Sequence, residues 1–214
     1  MKLKRHHWIA VLLMLVFAAT RWPGLMPPNF SAAYALSFCA GVYFPGAMAW
    51  WLPLVTLFAT DLALGLHYRA LYLENPTDFT HPVTLFSLWQ LISYVLFAGL
   101  IWLGRRLTSK SSFTTLLGGG LLGAILFYIA SNTASWLANP AYPKTLSGWL
   151  QALSGGLPGY PPTWEFFRNT LSSGGLFTAL FVGAMKLSEA AEESKEESAE
   201  ETKAGEGQPE ETKA

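Results

Sequence analysis

Charge is scarce in most of this chain. Only four of its fourteen acidic residues precede residue 189, and charged residues make up 13% of the 214 positions. An ordinary soluble domain carries about 25% charged residues. The net charge of zero is the sum of a basic, apolar body and an acidic C-terminal segment, so it gives no argument for a nucleic-acid partner.

Cysteine and the common catalytic motifs are also missing. Cys39 is the one cysteine, which excludes a disulfide framework and a thiolate metal site. The sequence has no His-Glu-x-x-His, Gly-x-Ser-x-Gly, P-loop or Cys-x-x-Cys pattern. We therefore predict that the protein is not an enzyme and holds no metal or cofactor. The least favoured alternative is an intramembrane enzyme that uses Asp61 and a histidine.

Apolar residues are abundant, at 51% of the chain, and they fall into runs separated by proline, glycine and polar residues. Runs of about 17–25 apolar residues are long enough to cross a bilayer as helices. The pattern predicts an all-α polytopic bundle of six transmembrane helices, with the spans at residues 8–25, 30–45, 47–66, 83–103, 116–137 and 165–187. The first run also resembles a signal peptide, and its cleavage would leave five spans. A retained first helix is the preferred interpretation.

The positively charged residues predict the orientation of the bundle. Lys2, Lys4, Arg5, Arg105, Arg106, Lys110 and Lys186 all fall on one side of the six spans. Because lysine and arginine concentrate in cytoplasmic loops, both termini are expected in the cytoplasm of a bacterial cell, with the protein in its inner membrane. Residues 188–214 have no aromatic residue and many glutamates, so they are predicted to form a disordered acidic cytoplasmic tail.

Asp61 is the residue that most needs an explanation, because a carboxylate inside an apolar span costs a few kcal/mol to insert. Arg168, near the start of the sixth span, is its expected partner, and the pair is interpreted either as a brace between helices or as part of a ligand site. The other candidates on the outer side are Asn132 and Asn169 within spans, and His67 and His81 in outer loops. Together these six residues predict a polar pocket that opens outward.

Several short motifs carry a resemblance to a known family. They are Pro27-Pro28-Asn29-Phe30, Thr60-Asp61-Leu-x-Leu-Gly-x-His67, Ser131-Asn132-x-x-x-Trp136, Tyr142-Pro143-x-Thr145 and Phe166-Phe-Arg-Asn-Thr170. Together they resemble a family of uncharacterised bacterial integral membrane proteins, over roughly residues 20–187. Members of that family often have an acidic residue after the Asn-Thr pair, where this chain has Ser173-Gly174. The resemblance implies a membrane protein and no particular activity.

A looser resemblance is to the substrate-binding S-components of energy-coupling-factor vitamin transporters. The six predicted helices, the chain length and the stretch Asp78-Phe-Thr-His-Pro82 are similar to the cobalamin-binding type. That resemblance implies a protein that binds a vitamin-like small molecule from the outer side for uptake. Its expected partners are the lipid bilayer, the small-molecule ligand, an energy-coupling transmembrane subunit and ATPase subunits. The alternative is a non-transport scaffold or subunit of a larger membrane complex.

Overall fold

The structure, a computed structural model, describes residues 5–78 and 83–206. Within these residues the chain forms seven α-helices, one short 3₁₀ helix and no strand. The α-helices are α1 (Arg5–Thr20), α2 (Ala33–Tyr43), α3 (Met48–Glu74), α4 (Leu88–Gly104), α5 (Phe113–Ala138), α6 (Leu146–Leu153) and α7 (Thr163–Glu206), and the 3₁₀ helix Pro76–Asp78 follows α3. The predicted all-α fold is confirmed.

Three helices have the dimensions of a membrane span. By length and composition, α3, α5 and α7 could each cross a bilayer, while α2, α4 and the segment Ile9–Thr20 of α1 are apolar but shorter. Large apolar side chains project from the outside of the bundle, with Leu15, Val55 and Val95 each more than half exposed. Such surfaces are typical of helices that face lipid. The count of six spans stays a prediction.

Helix α2 lies at the centre of the bundle and packs against α1, α3, α4, α5 and α7. Its residues from Ala33 to Gly41 are all buried. The helix is short and carries alanine, glycine, serine and cysteine alongside larger apolar residues, so neighbours can approach it from every side. A helix without a polar face is expected in the interior of a bundle.

Helices α2 and α4 cross closely at Gly41 and Gly104. A Cβ atom added to Gly104 would lie 3.0 Å from the Phe38 carbonyl carbon and 3.1 Å from the Gly41 Cα, and closer still to the Phe38 carbonyl oxygen. A Cβ atom added to Gly41 would lie 3.0 Å from the backbone nitrogen of Arg105. The two backbones touch because neither glycine has a side chain to hold them apart.

Several helices begin or end at other residues than the apolar runs predict. Helix α1 ends at Thr20 because Pro23 disfavours a helical conformation at the residue before it. Helix α3 continues to Glu74, so His67 lies within a helix and the prediction of a loop there is wrong. The last turns of α3 contain no proline, and the next proline, Pro76, comes after the helix has ended. Helix α4 begins at Leu88 because Ser87 and Gln90 form a capping box around its first turn.

Helix α7 is longer than the predicted sixth span. It begins at Thr163 and runs without interruption to Glu206. The helix therefore continues into the acidic segment for which the composition predicts disorder. Alanine and glutamate are common in that segment, and both are good helix formers once a preceding helix supplies the nucleus.

Candidate functional site

A cavity of about 370 Å³ lies beside the end of α1 and the first turns of α2, α4 and α7, and the middle of α3 also lines it. Its lining includes both charged side chains and amides: Arg21, Asn29, Asp61, Gln90 and Asn132. Leu57 and Phe97 also line the cavity and belong to the hydrophobic core. The cavity is therefore polar around its wall and ends against an apolar interior.

The charged part of the wall is an ion pair between Arg21 and Asp61. A terminal guanidinium nitrogen of Arg21 (Nη2) donates to Oδ1 of Asp61, and the side chains are only 19% and 11% exposed. Arg21 follows directly after α1, and Asp61 lies at the middle of α3, so the pair joins the end of α1 to α3 through residues that are 40 positions apart in sequence.

The start of α2 fixes the position of Arg21. The Thr20 hydroxyl donates to the Phe17 carbonyl at 3.1 Å and accepts from the Ala32 backbone N–H at 3.0 Å. This side chain satisfies one of the free N–H groups at the beginning of α2 and ties it to the end of α1. The residue after Thr20 is thereby held beside the cavity.

Arg168 is not the partner of Asp61, and that prediction is wrong. Its side chain is exposed, and its guanidinium carbon lies 5.4 Å from the ring centre of Trp164, one helical turn earlier. Residues four apart on a helix face the same side, so the cation rests on its neighbour's ring instead of turning inward. Arg21 takes the inward position and lines the cavity, next to Thr20, whose hydroxyl joins the end of α1 to the start of α2.

The turn Pro27–Phe30 forms one edge of the cavity. The Phe30 backbone N–H donates to the Pro27 carbonyl at 3.0 Å, and Asn29 has a φ of 60°. Asparagine is among the few residues that tolerate this left-handed conformation, which the third position of a type II turn requires. The Asn169 amide on α7 donates to the Pro28 carbonyl at 2.9 Å. Asn169 therefore braces the turn and does not line the cavity.

Asn132, one of the candidates from the sequence, lies in the cavity wall. Its amide nitrogen donates to the Tyr128 carbonyl of its own helix at 2.9 Å. The Tyr128 hydroxyl lies 2.7 Å from the Leu153 carbonyl and 3.2 Å from the Thr163 carbonyl. These bonds attach the end of α6 and the start of α7 to α5, so this wall of the cavity is held by three elements.

The segment after α5 is held by side chains from the recognised motifs. The Trp136 indole donates to the Pro143 carbonyl at 2.8 Å, and Thr145 caps α6 by accepting from the Gly148 backbone N–H at 3.2 Å. Tyr142 is buried here, and loss of hydration raises the pKa of its hydroxyl. The residues of this segment are thus explained by local structure.

Of the two candidate histidines, the structure describes the position of His67 and not that of His81. His67 packs between Trp22 and Tyr68, with ring centres 5.3 Å and 5.5 Å away, and does not line the cavity. His81 lies outside the described residues. Within the described ranges, no three His, Cys, Asp or Glu side chains come together as a metal site would require.

A second cavity of about 410 Å³ adjoins the first. Both are lined by Arg21, Asn29, Tyr34 and Phe97. Arg21 and Asn29 were not among the candidates from the sequence. Arg21 follows an apolar run and resembles an ordinary interfacial arginine, and Asn29 resembles an ordinary turn residue. The one available signal was that an ion inside the membrane requires a partner, and Arg21 is the cation nearest the outer end of the first span.

The apolar helices and the lipid-type outer surface define this chain as a helical membrane protein. The chain belongs to a family of unknown function, DUF6580, whose family model matches residues 1–197. This membership confirms the resemblance to an uncharacterised family. No curated protein and no solved structure matches the chain.

Proposed function

We propose that this protein is an inner-membrane, small-molecule-binding component of an uptake system, with its pocket facing the outer side. The cavity lined by Arg21, Asp61 and Asn132 is the proposed binding site. In this proposal the six apolar helices cross the bilayer and both termini are cytoplasmic. The role resembles that of a transporter S-component, and a coupling membrane subunit with an ATPase pair would be its partners.

One observation carries the proposal: an ion pair and several amides, all costly to bury, line a partly open cavity instead of being packed against protein on every side. Residues from five different helices and the Pro27–Phe30 turn contribute to this cavity. Polar groups that only brace helices are normally packed directly together, as Thr20 and Ala32 are. A concave site with a few convergent polar groups above an apolar floor is the usual form of a ligand pocket.

The size of the cavity limits the ligand. A volume of about 370 Å³ corresponds to roughly a dozen water molecules at about 30 Å³ each. This space fits a molecule of amino-acid to nucleoside size. A complete cobalamin is far too large for it, so the proposal takes over only the general role of the S-components and not that vitamin.

The distribution of basic residues supports the orientation. Arg105 and Arg106 follow the end of α4, and the Lys186 ammonium group donates to the Ser109 carbonyl at 3.2 Å in the connection between α4 and α5. These cations lie at the end of the bundle opposite to the start of α4, where Gln90 lines the cavity. The positive-inside rule assigns the basic end to the cytoplasm and the cavity to the outer side.

The experiment that tests the proposal compares the wild type with Asp61→Asn. Native mass spectrometry of each purified protein would look for a retained small molecule, and membrane insertion would be measured separately. We expect the variant to insert normally and to retain less of the molecule, because the anchor of Arg21 is lost. Normal retention in Asp61→Asn would contradict the proposal.

The alternative role, as a scaffold subunit, is tested by affinity purification in mild detergent. Co-purification of an ATPase pair with a coupling membrane subunit supports uptake. Recovery of an unrelated membrane complex, with no retained small molecule, supports the scaffold instead.

A further inference from the structure

The two members of the Arg21–Asp61 pair are not equally satisfied. A guanidinium group has five N–H donors. In the described part of the chain, Arg21 has one hydrogen-bond acceptor, the Oδ1 atom of Asp61. Its Nε atom is buried and has no hydrogen-bond partner among the described residues. A buried, charged donor without an acceptor is costly, and native proteins contain few of them.

Asp61 has no comparable deficit. Its carboxylate accepts from Arg21, and neither of its oxygens is among the buried, unpartnered side-chain atoms of the described residues. The acidic member of the pair therefore has no buried oxygen without a partner, while the basic member has a buried N–H donor without an acceptor. An incoming group that could complete this site must be an acceptor.

Further donors lie around the same space. Asn29 is exposed and lines both adjoining cavities, so its amide N–H groups can donate into that space. Asn132 uses its amide nitrogen for one bond to the Tyr128 carbonyl, which leaves its second N–H for a ligand. The donors of Arg21, Asn29 and Asn132 come from three separate elements and meet at one cavity.

We propose that the cavity binds a small organic anion, with its carboxylate or phosphate oxygens on the Arg21 guanidinium. This inference rests on the proposed function and names the chemical class of its ligand. Arginine suits this role because its planar fork matches the geometry of an oxyanion and stays charged in a low-dielectric site. Asp61 is a positioning residue that fixes the guanidinium, and the amides of Asn29 and Asn132 supply further donors.

The direct test measures thermal unfolding of the full-length protein in a neutral detergent, at constant ionic strength, with named probes. The anions are acetate, succinate, glutamate, benzoate and inorganic phosphate, and the comparison compounds are choline, putrescine and glucose. We expect at least one anion to raise the unfolding temperature by about 3 °C or more, as linkage requires at concentrations near ten times Kd. If none of the anions raises the unfolding temperature, the inference is wrong.

Variants separate binding from folding. Arg21→Gln is expected to raise the Kd for the stabilising anion about 10- to 150-fold, which corresponds to the loss of one charged hydrogen bond. Because this change leaves Asp61 without a partner, the double variant Arg21→Gln/Asp61→Asn is also needed, since it removes both charges. We expect the double variant to fold and still not respond to the anion. A wild-type response in the double variant overturns the inference. Arg168→Gln is the matched control, because Arg168 is an exposed arginine outside the cavity.

The same oxyanion chemistry is present in the head group of an anionic lipid. An apolar groove of about 470 Å³ between α1 and α3 also reaches Arg21, and Val55 lies along it. Ser93→Phe would fill the cavity, while Val55→Trp would fill the groove. Loss of the anion response in Ser93→Phe alone supports the cavity, and loss in Val55→Trp alone, with a phospholipid retained by the wild type, overturns the assignment.

Failure of this inference can be distinguished from failure of the proposed function. If native mass spectrometry finds a neutral or cationic molecule that is lost in Ser93→Phe, the binding role holds and the anion class is wrong. If neither a retained molecule nor a response to any probe is found, both are wrong.

Discussion

The crossing of α2 and α4 provides the sharpest prediction of stability. Replacing Gly104 with alanine would place a methyl group 3.0 Å from the Phe38 carbonyl carbon and 3.1 Å from the Gly41 Cα, with the carbonyl oxygen closer still. Ordinary contacts of a carbon atom are about 3.5–4.0 Å. The obstructing atoms belong to the backbone, so no side-chain rotation can relieve the clash, and α4 must move away from α2.

The magnitude follows from two opposing terms. Overpacking of a core costs about 1–3 kcal/mol, and a rigid backbone obstacle belongs at the upper end of that range. Alanine in a helix is favoured over glycine by about 0.5–1 kcal/mol. The net loss expected for Gly104→Ala is therefore about 2 kcal/mol, which lowers the unfolding temperature by roughly 4–8 °C for a chain of this size.

The assay is thermal unfolding of the purified protein in detergent, followed by circular dichroism. Gly99 supplies a control on the same helix, because nothing lies within 4 Å of a Cβ atom added there. Gly99→Ala should be neutral or stabilising by up to about 1 kcal/mol. Equal unfolding temperatures for the Gly99 and Gly104 variants would refute the reasoning, since they would mean that the helices do not touch at Gly104.

Two further predictions concern the Pro27–Phe30 turn. Asn29→Val should destabilise the protein by about 1–2 kcal/mol, because a β-branched residue is strained at a φ of 60°, whereas Asn29→Gly should keep the stability. The unfolding temperatures of the two variants are measured without added ligand. Equal temperatures for Asn29→Val and Asn29→Gly would show that residue 29 is not in the left-handed conformation. Asn169→Ala should cost about 0.5–1.5 kcal/mol through the lost bond to the Pro28 carbonyl. Arg168→Ala, at the adjacent exposed position, should change stability by no more than about 0.5 kcal/mol, and an equal loss in both would argue against the brace.

The sequence was most informative where a residue contradicted its surroundings. Asp61 was found because a carboxylate in an apolar helix needs compensation, and Asn132 because an amide at that depth needs hydrogen bonds. Both line the cavity. These conclusions depend only on the cost of burial, which a single sequence reveals.

The partner of Asp61 could not be found in the same way. Arg21 directly follows the end of α1 and Arg168 lies near the start of α7, so position along the helices alone does not distinguish them. The choice depends on the direction of each side chain, which is set by the loop after α1 and by Trp164 on α7. Such directions arise from tertiary packing and leave no periodic signal.

Helix boundaries were missed for a related reason. The polar residues after Leu66 predicted a loop, yet helix α3 continues through them to Glu74. Polarity reports whether a residue faces water or lipid, while helix termination depends on proline and on capping groups. Pro76 and the Ser87–Gln90 capping box are those signals, and they lie later in the chain.

The unbroken course of α7 has a mechanical consequence. Thr170 on this helix belongs to the cavity wall, and the helix ends at Glu206, about 54 Å away at 1.5 Å per residue. The hydrocarbon layer of a bilayer is only about 30 Å thick. A tilt of about 5° pivoting at Thr170 would displace the far end by about 5 Å along a rod of this length. If α7 rotated as one rigid body, a small movement at the cavity would therefore become a larger displacement beyond the bundle.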